Sequence, residues 1–167
     1  AISIVMDVHT GAILAMAVKG DFDLNDPWTV KDPNAVAALK LLSGDEKDEA
    51  VTKALQTQWS NKAVSEFYEP GSVFKVFTSC MAIEEGVGNI NTSSFYCPGY
   101  IEVMGQQITC WHAGHGMQHF PDIISNSCNP GFITLGVGLG GERYFKYFTG
   151  FGFTEPTGID MLSEGRP

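Results

Sequence analysis

Pro70-Gly71 running into an apolar stretch that stops at Gly86 is the feature that most constrains this chain. A Pro-Gly pair interrupts whatever precedes it, the stretch Ser72-Val73-Phe74-Lys75-Val76-Phe77 suits a helix start, and Gly86 suits the left-handed residue that ends one. The pattern predicts a helix over residues 72–85 that buries Val73, Val76, Phe77, Cys80 and Met81. On it Ser72 and Lys75 stand at i and i+3 and share a face, so a hydroxyl and an amine can meet. A serine hydroxyl is a weak nucleophile until a neighbour takes its proton. A partly desolvated lysine, with its pKa below the reference of about 10.4, can do so. The same spacing also occurs on ordinary helices whose serine is an N-terminal cap and whose lysine is solvated, so the pair alone leaves both readings open.

The rest of the chain reads as a mixture of strand and helix. Ile2, Ile4, Met6 and Val8 alternate with Ser3 and Asp7, and after a turn Ile13, Ala15 and Ala17 alternate with Leu14, Met16 and Val18, which predicts a hairpin that is apolar on one face or both. Residues 21–34 are rich in turn formers. Segments 35–42 and 46–59 read as helices separated by Ser43-Gly44-Asp45, with Asp45 available as the second cap. Residues 90–111 read as irregular. Segments 121–126 and 131–139 read as short helices around a turn at 127–129, and 142–149 as another with an aromatic face of Tyr144, Phe145, Tyr147 and Phe148 expected in the core. There is no internal repeat and no low-complexity segment.

With 167 residues, 44% of them hydrophobic and 11% aromatic, the chain is long and apolar enough to bury a core. Its 19 acidic and 10 basic residues give a formal net charge of -9, which excludes a phosphate-backbone partner and polybasic attachment to anionic lipid. No segment approaches the run of about 18 apolar residues needed to cross a bilayer, so these residues read as soluble.

Four cysteines admit two uses. Cys97 and Cys110 bracket a loop that a disulfide would close. Alternatively Cys97, Cys110, His115 and Cys128, spaced C-x12-C-x4-H-x12-C, supply three thiolates and an imidazole, a set suited to tetrahedral zinc although without the short knuckle usual in zinc sites. Both remain open. Cys80 is expected in the core, and His9, His112 and His119 at the surface or in packing.

A second motif follows the first. Ser72-x-x-Lys75 and then Ser127-Cys128-Asn129 is the order in which penicillin-recognising serine enzymes arrange their sites. On these residues the chain resembles the transpeptidase domain of a class B penicillin-binding protein. The resemblance extends over residues 6–17, Phe22-Asp23-Leu24-Asn25-Asp26-Pro27, Asn61-Lys62-Ala63, Tyr68-Glu69-Pro70-Gly71-Ser72, Gly114-His115-Gly116, Phe151-Gly152-Phe153 and on to Gly158-Ile159-Asp160. A K-T-G triplet, the third motif of such proteins, is absent. His9-Thr10-Gly11 lies at the hairpin turn and Pro156-Thr157-Gly158 in a loop, and neither takes its role.

The resemblance implies an α+β fold of the serine β-lactamase and D-Ala-D-Ala transpeptidase type. Residues 1–167 would form one partial domain, the opening hairpin plus the mostly helical part, with the C-terminal strands and K-T-G beyond Pro167. It implies Ser72 as acyl-accepting nucleophile, Lys75 as proton acceptor, Ser127 as proton relay and Asn129 as an amide gripping Lys75 and substrate. The implied activity is D-Ala-D-Ala transpeptidation through an acyl-enzyme, with no cofactor for the chemistry and little turnover by these residues alone. Implied partners are peptidoglycan stem peptides, β-lactams and cell-wall synthesis proteins. The implied place is the outer face of the cytoplasmic membrane, through an anchor outside these residues, and an unpaired hairpin edge would allow self-association. Some rod-shape class B proteins carry zinc in this region, with carboxylates where this chain has Cys97 and Cys110. Two other readings share the motifs: a serine β-lactamase, for which no E-x-x-L-N stretch follows Asn129, and a non-catalytic structural or β-lactam-binding piece.

Overall fold

The computed structural model describes residues 1–166, and its contacts divide them into two compact units, residues 1–67 with 158–166 and residues 68–157. The strands and K-T-G triplet expected beyond Pro167 lie outside the described residues.

In the first unit, β1 (Ile2–Met6) pairs antiparallel with β2 (Ile13–Val18), Ile2 opposite Val18 and Val5 opposite Ala15, with an irregularity before Met6. The connection closes on Asp7, whose carboxylate accepts the N–H groups of His9 at 2.8 Å and Thr10 at 2.9 Å. Those two bonds hold its pKa below the ordinary carboxylate value. Gly11 supplies the positive φ of 73° that the turn needs. His9-Thr10-Gly11 is thus part of a hairpin turn, as read from the sequence. Helix α1 (Pro33–Leu39) starts on Asp32, whose side chain accepts from the Asn34 N–H, and has proline in its first turn. Helix α2 (Gly44–Trp59) begins at Ser43 rather than at Asp45, which sits inside its first turn and favours the helix through its charge. The Trp59 indole donates to the Pro27 carbonyl at 2.9 Å and meets Trp28 edge-on, pinning the turn-rich loop to α2. A further short helix, α3 (Lys62–Ser65), not legible in the sequence, is capped by Asn61 and packs on the hairpin.

The second unit holds the larger core. A single 3-10 turn (Gly71–Phe74) leads into α4 (Lys75–Glu84), and Gly86 follows in the left-handed region. The stretch expected to be irregular instead contains strands. These are β3 (Ser94–Cys97) paired with β6 (Gly116–His119), and β4 (Tyr100–Val103) paired with β5 (Gln106–Thr109) through Met104 and Gly105, both at positive φ. Helix α5 (Phe120–Ser125) opens with a capping box between His119 and Asp122. Helix α6 (Asn129–Gly150) is broken at Gly140, where φ 74° and ψ 158° separate the two helical segments that the sequence predicted.

Met81 and Ala82 of α4, Phe95 and Cys97 of β3, Phe120 and Ile123 of α5, Cys128, and Phe132, Leu135 and Leu139 of α6 form one buried cluster. Helix α4 turns Thr78, Ser79, Met81 and Ala82 inward, while Val73, Val76 and Cys80 are exposed, contrary to expectation. The reason is that α4 is apolar on most sides, so periodicity does not choose a face; contact with α6 does. Of the aromatic stripe, Tyr144 and Tyr147 pack on the core, but Phe145 is exposed.

Candidate active site

Pro70 and Gly71 set the entry to the site. Gly71 has φ 59°, and the N–H of Lys75 returns to the Ser72 carbonyl, so Ser72 and Lys75 lie one 3-10 turn apart, where residues three apart eclipse. Ser72 is exposed and Lys75 half-buried.

The Lys75 side chain reaches across to the start of α6. Its Nζ donates to the Ser127 carbonyl at 2.7 Å, to Ser127 Oγ at 3.0 Å and to Asn129 Oδ1 at 2.7 Å. The ammonium also stands 5.4 Å from the centre of the Phe132 ring. Burial lowers the pKa of Lys75, and the thiols of Cys110 and Cys128, when charged, pull it back upward. The Asn129 amide is fixed at both ends, since its Nδ2 donates to the Thr109 carbonyl at 2.9 Å. Ser127 is one of three non-glycine residues with positive φ among the described residues, at 47°. The structure therefore brings Lys75, Ser127 and Asn129 into direct contact, with Ser72 one 3-10 turn before Lys75 and not among its hydrogen-bond partners, since the three short bonds of Lys75 all run to the 127–129 turn.

An open groove of about 530 Å³ runs along this site, with Phe74, Lys75, Ile108, Asn129 and Phe132 in its walls. It offers apolar surface with one amine and one amide at its edge, a composition usual for small-molecule clefts.

The cysteines converge behind the turn. Ligand atoms of Cys97, Cys110, His115 and Cys128 all lie within 4.8 Å of one another. The pairing of β3 with β6 sets Cys97 opposite Gly116, beside His115, while Cys110 follows β5 and Cys128 caps α6. In the structure all four cysteines are free thiols, Cys97 and Cys110 among them. Burial pushes the Cys110 thiol up, but hydrogen bonds from the His112 and Asn129 backbone and from the Cys97 and Cys128 thiols together leave its pKa below the ordinary thiol value. Burial leaves Cys128 above that value. His115 Nδ1 stands 3.7 Å from Cys110 Sγ while its Nε2 is buried with no hydrogen-bond partner, and an imidazole among three soft sulfur donors fits zinc. Cys80 is exposed and apart from this cluster. His112 stacks on His115 at 4.9 Å, and the exposed His119 caps α5 through hydrogen bonds.

Sequence reasoning did not find the residues that hold the turn from behind. Trp111 Nε1 donates to the Asn126 carbonyl at 2.7 Å, and Gln118 touches both Asn126 and Cys128. No motif marks them; only the pairing of β3 with β6 would have pointed Gln118 inward.

Residues 1–166 match the penicillin binding protein transpeptidase domain family. The chain belongs to that family. It is 38% identical over 165 residues to stage V sporulation protein D of Bacillus subtilis, covering 98% of this chain and 22% of that protein. It is 29% identical over 167 residues to the probable peptidoglycan D,D-transpeptidase FtsI of Caulobacter vibrioides, covering 100% of this chain and 24% of that protein. The chain thus spans less than a quarter of the length of these relatives. Among solved structures, the D,D-transpeptidase domain of a peptidoglycan glycosyltransferase from Eggerthella lenta superposes with a TM-score of 0.73 at 27% identity, covering 98% of this chain and 35% of that one. Pseudomonas aeruginosa PBP2, solved in complex with WCK 5153, gives a TM-score of 0.72 at 23% identity over 98% of this chain and 33% of that one, a likeness of fold. The α+β transpeptidase-type fold implied by the sequence is the fold of the family.

Proposed function

We propose that the chain is the serine-bearing part of a D-alanyl-D-alanine transpeptidase that cross-links peptidoglycan stem peptides, its two units being parts of one domain spanning residues 1–167. The observation that carries this is the three-bonded Lys75, tied to Ser127 and Asn129 across 52 and 54 residues of sequence. In this reading the neutral Lys75 amine takes the Ser72 hydroxyl proton as Ser72 Oγ attacks the carbonyl of the penultimate D-alanine. Ser127 Oγ, bonded to Lys75 Nζ, passes a proton to the departing amine of the terminal D-alanine. The Ser72 N–H faces the developing oxyanion, and the amine of a second stem peptide then displaces Ser72 from the ester. Asn129 holds Lys75 and the substrate backbone. A β-lactam would occupy the same place and acylate Ser72. Such an enzyme works outside the cytoplasm; among the described residues no helix is long and apolar enough to cross a membrane.

Intact-mass spectrometry of the full-length protein after incubation with penicillin tests this. One long-lived adduct, absent in Ser72→Ala, is the expected result. No adduct in the wild type, or one that survives Ser72→Ala, overturns the assignment.

Zinc held by Cys97, Cys110, His115 and Cys128 is the second part of the proposal. When bound it would supply cross-linking of strands and loop, not Lewis acidity toward substrate. Cys128 adjoins Ser127, so these ligands would fix the turn that presents Ser127 and Asn129. Elemental analysis of protein purified without added metal should find about one zinc per chain, lost in Cys110→Ser and Cys128→Ser. A metal-free protein whose Cys97 and Cys110 resist alkylation until reduced would overturn it.

A further inference from the structure

We propose that Gln118 is a positioning residue for Ser127, holding the 127–129 turn by gripping the residues on both sides of it; this rests on the role given to Ser127 above. Gln118 lies on β6 between exposed Met117 and His119, so strand alternation turns its side chain into the core, where it is 4% exposed. A glutamine there is costly unless its amide is satisfied, and an apolar side chain of similar size would fill the space more cheaply. The amide is spent on two contacts. Nε2 donates to Cys128 Sγ at 3.2 Å, and Oε1 accepts from Asn126 Nδ2 at 2.8 Å.

Asn126 and Cys128 are the two neighbours of Ser127. Ser127 itself sits at φ 47°, a conformation a serine adopts only when its surroundings impose it. Its own backbone N–H reaches the Ile124 carbonyl at 3.0 Å, and its carbonyl and hydroxyl are both used by Lys75. Those bonds tie Ser127 to α5 and to Lys75 on α4, but none of them anchors the turn to the β3–β6 ribbon. Gln118 does, linking both flanks of Ser127 to the β3–β6 ribbon, while the Trp111 indole holds the Asn126 carbonyl from the outer side. The hydroxyl given the proton-relay role is thus aimed from the core, by a side chain that touches neither substrate nor Lys75.

The test uses the full-length protein, a fluorescent penicillin, and hydrogen exchange read at the amides of residues 126–128. Gln118→Met keeps the volume and loses both bonds; Gln118→Glu keeps the acceptor for Asn126; Asn126→Ala removes the other half of one contact at a half-buried position. We expect Gln118→Met to slow the acylation step about tenfold or more, with non-covalent penicillin affinity changed by less than about threefold. Exchange at 126–128 should quicken by about the same factor, and Gln118→Glu should recover part of both effects. Adding Asn126→Ala to Gln118→Met should change the acylation rate by less than about twofold, because both act through one clamp. Should Gln118→Met fail to fold, Asn126→Ala by itself is expected to slow acylation and quicken exchange in the same way. Unchanged acylation and exchange in these variants, or effects of Gln118→Met and Asn126→Ala that multiply, would overturn the proposal. A wild type that forms no Ser72 adduct sinks the transpeptidase reading instead, and exchange at 126–128 then decides whether Gln118 holds the turn.

Discussion

Lys75 decides most of what this site can do, and two opposed demands meet on it. An ammonium with three short acceptors is well held, whereas a base needs a free lone pair. Burial eases the conflict by lowering its pKa, so that at a given pH a larger share of the amine is neutral than in a free lysine. Below the lowered pKa the amine is protonated and acylation is slow; as pH rises through it the rate climbs, and the midpoint falls below the ordinary lysine value of 10.5. A pH profile of acylation by penicillin reads this, and a midpoint at or above 10.5 would show that Lys75 is not the base. Substitution separates the roles of the two partners. Lys75→Ala removes the proton acceptor and should slow acylation by about 10³-fold. Asn129→Ala loosens Lys75 and should cost about ten- to a hundredfold. Equal rates for wild type and Lys75→Ala in stopped-flow acylation would place the base elsewhere.

Among the elements, α5 and α6 set the turn that carries Ser127 and Asn129, and their closeness depends on one glycine. A Cβ placed on Gly131 would stand 2.7 Å from Ile123 Cγ2 and 3.1 Å from Ile123 Cβ, and Ile123 is fully buried. Gly131→Ala must therefore push α5 from α6, with the 127–129 turn between them. A loss of about 1–3 kcal/mol, as for other overpacked cores, is expected in denaturant melts, together with slower acylation by penicillin. An unaffected acylation rate at reduced stability would mean that the turn does not follow the helices. The same elements show what a sequence can and cannot tell. The helices at 121–126, 131–139 and 142–149 were legible because proline, glycine and apolar spacing punctuate them. Strands β3 to β6 were not, because four residues hold only two alternations, too few to separate from irregular chain. The buried face of α4 was illegible for the opposite reason, an apolar surface so wide that only its partner helix fixes its orientation.

At the scale of the whole molecule, the chemistry-bearing residues all fall within residues 68–157, although the sequence spreads them from Ser72 to Asn129. The catalytic candidates were legible because a motif binds type and spacing together. The cysteine and histidine cluster was only half legible: its members could be named, but the pairing that brings Cys97 beside His115 lies in strands the sequence hid. That pairing also gives zinc, if bound, a reach beyond its ligands. It would join the end of β3, the residue after β5, the residue before β6 and the N-cap of α6, four places that otherwise meet through short ribbons and side chains. Removing it should then loosen that part of the fold before any other. In the full-length protein, a strong chelator is expected to lower the Tm by several degrees, since a structural zinc contributes directly to folding free energy. Hydrogen exchange should rise first in the peptides spanning Cys97, residues 109–115 and Cys128, while the β1–β2 hairpin exchanges as before. Acylation by penicillin should slow over the same time course as exchange at residues 126–128, because the ion would act on Ser127 through the backbone of Cys128. Unchanged exchange in those peptides after complete removal of metal would show that the four residues pack together without depending on an ion.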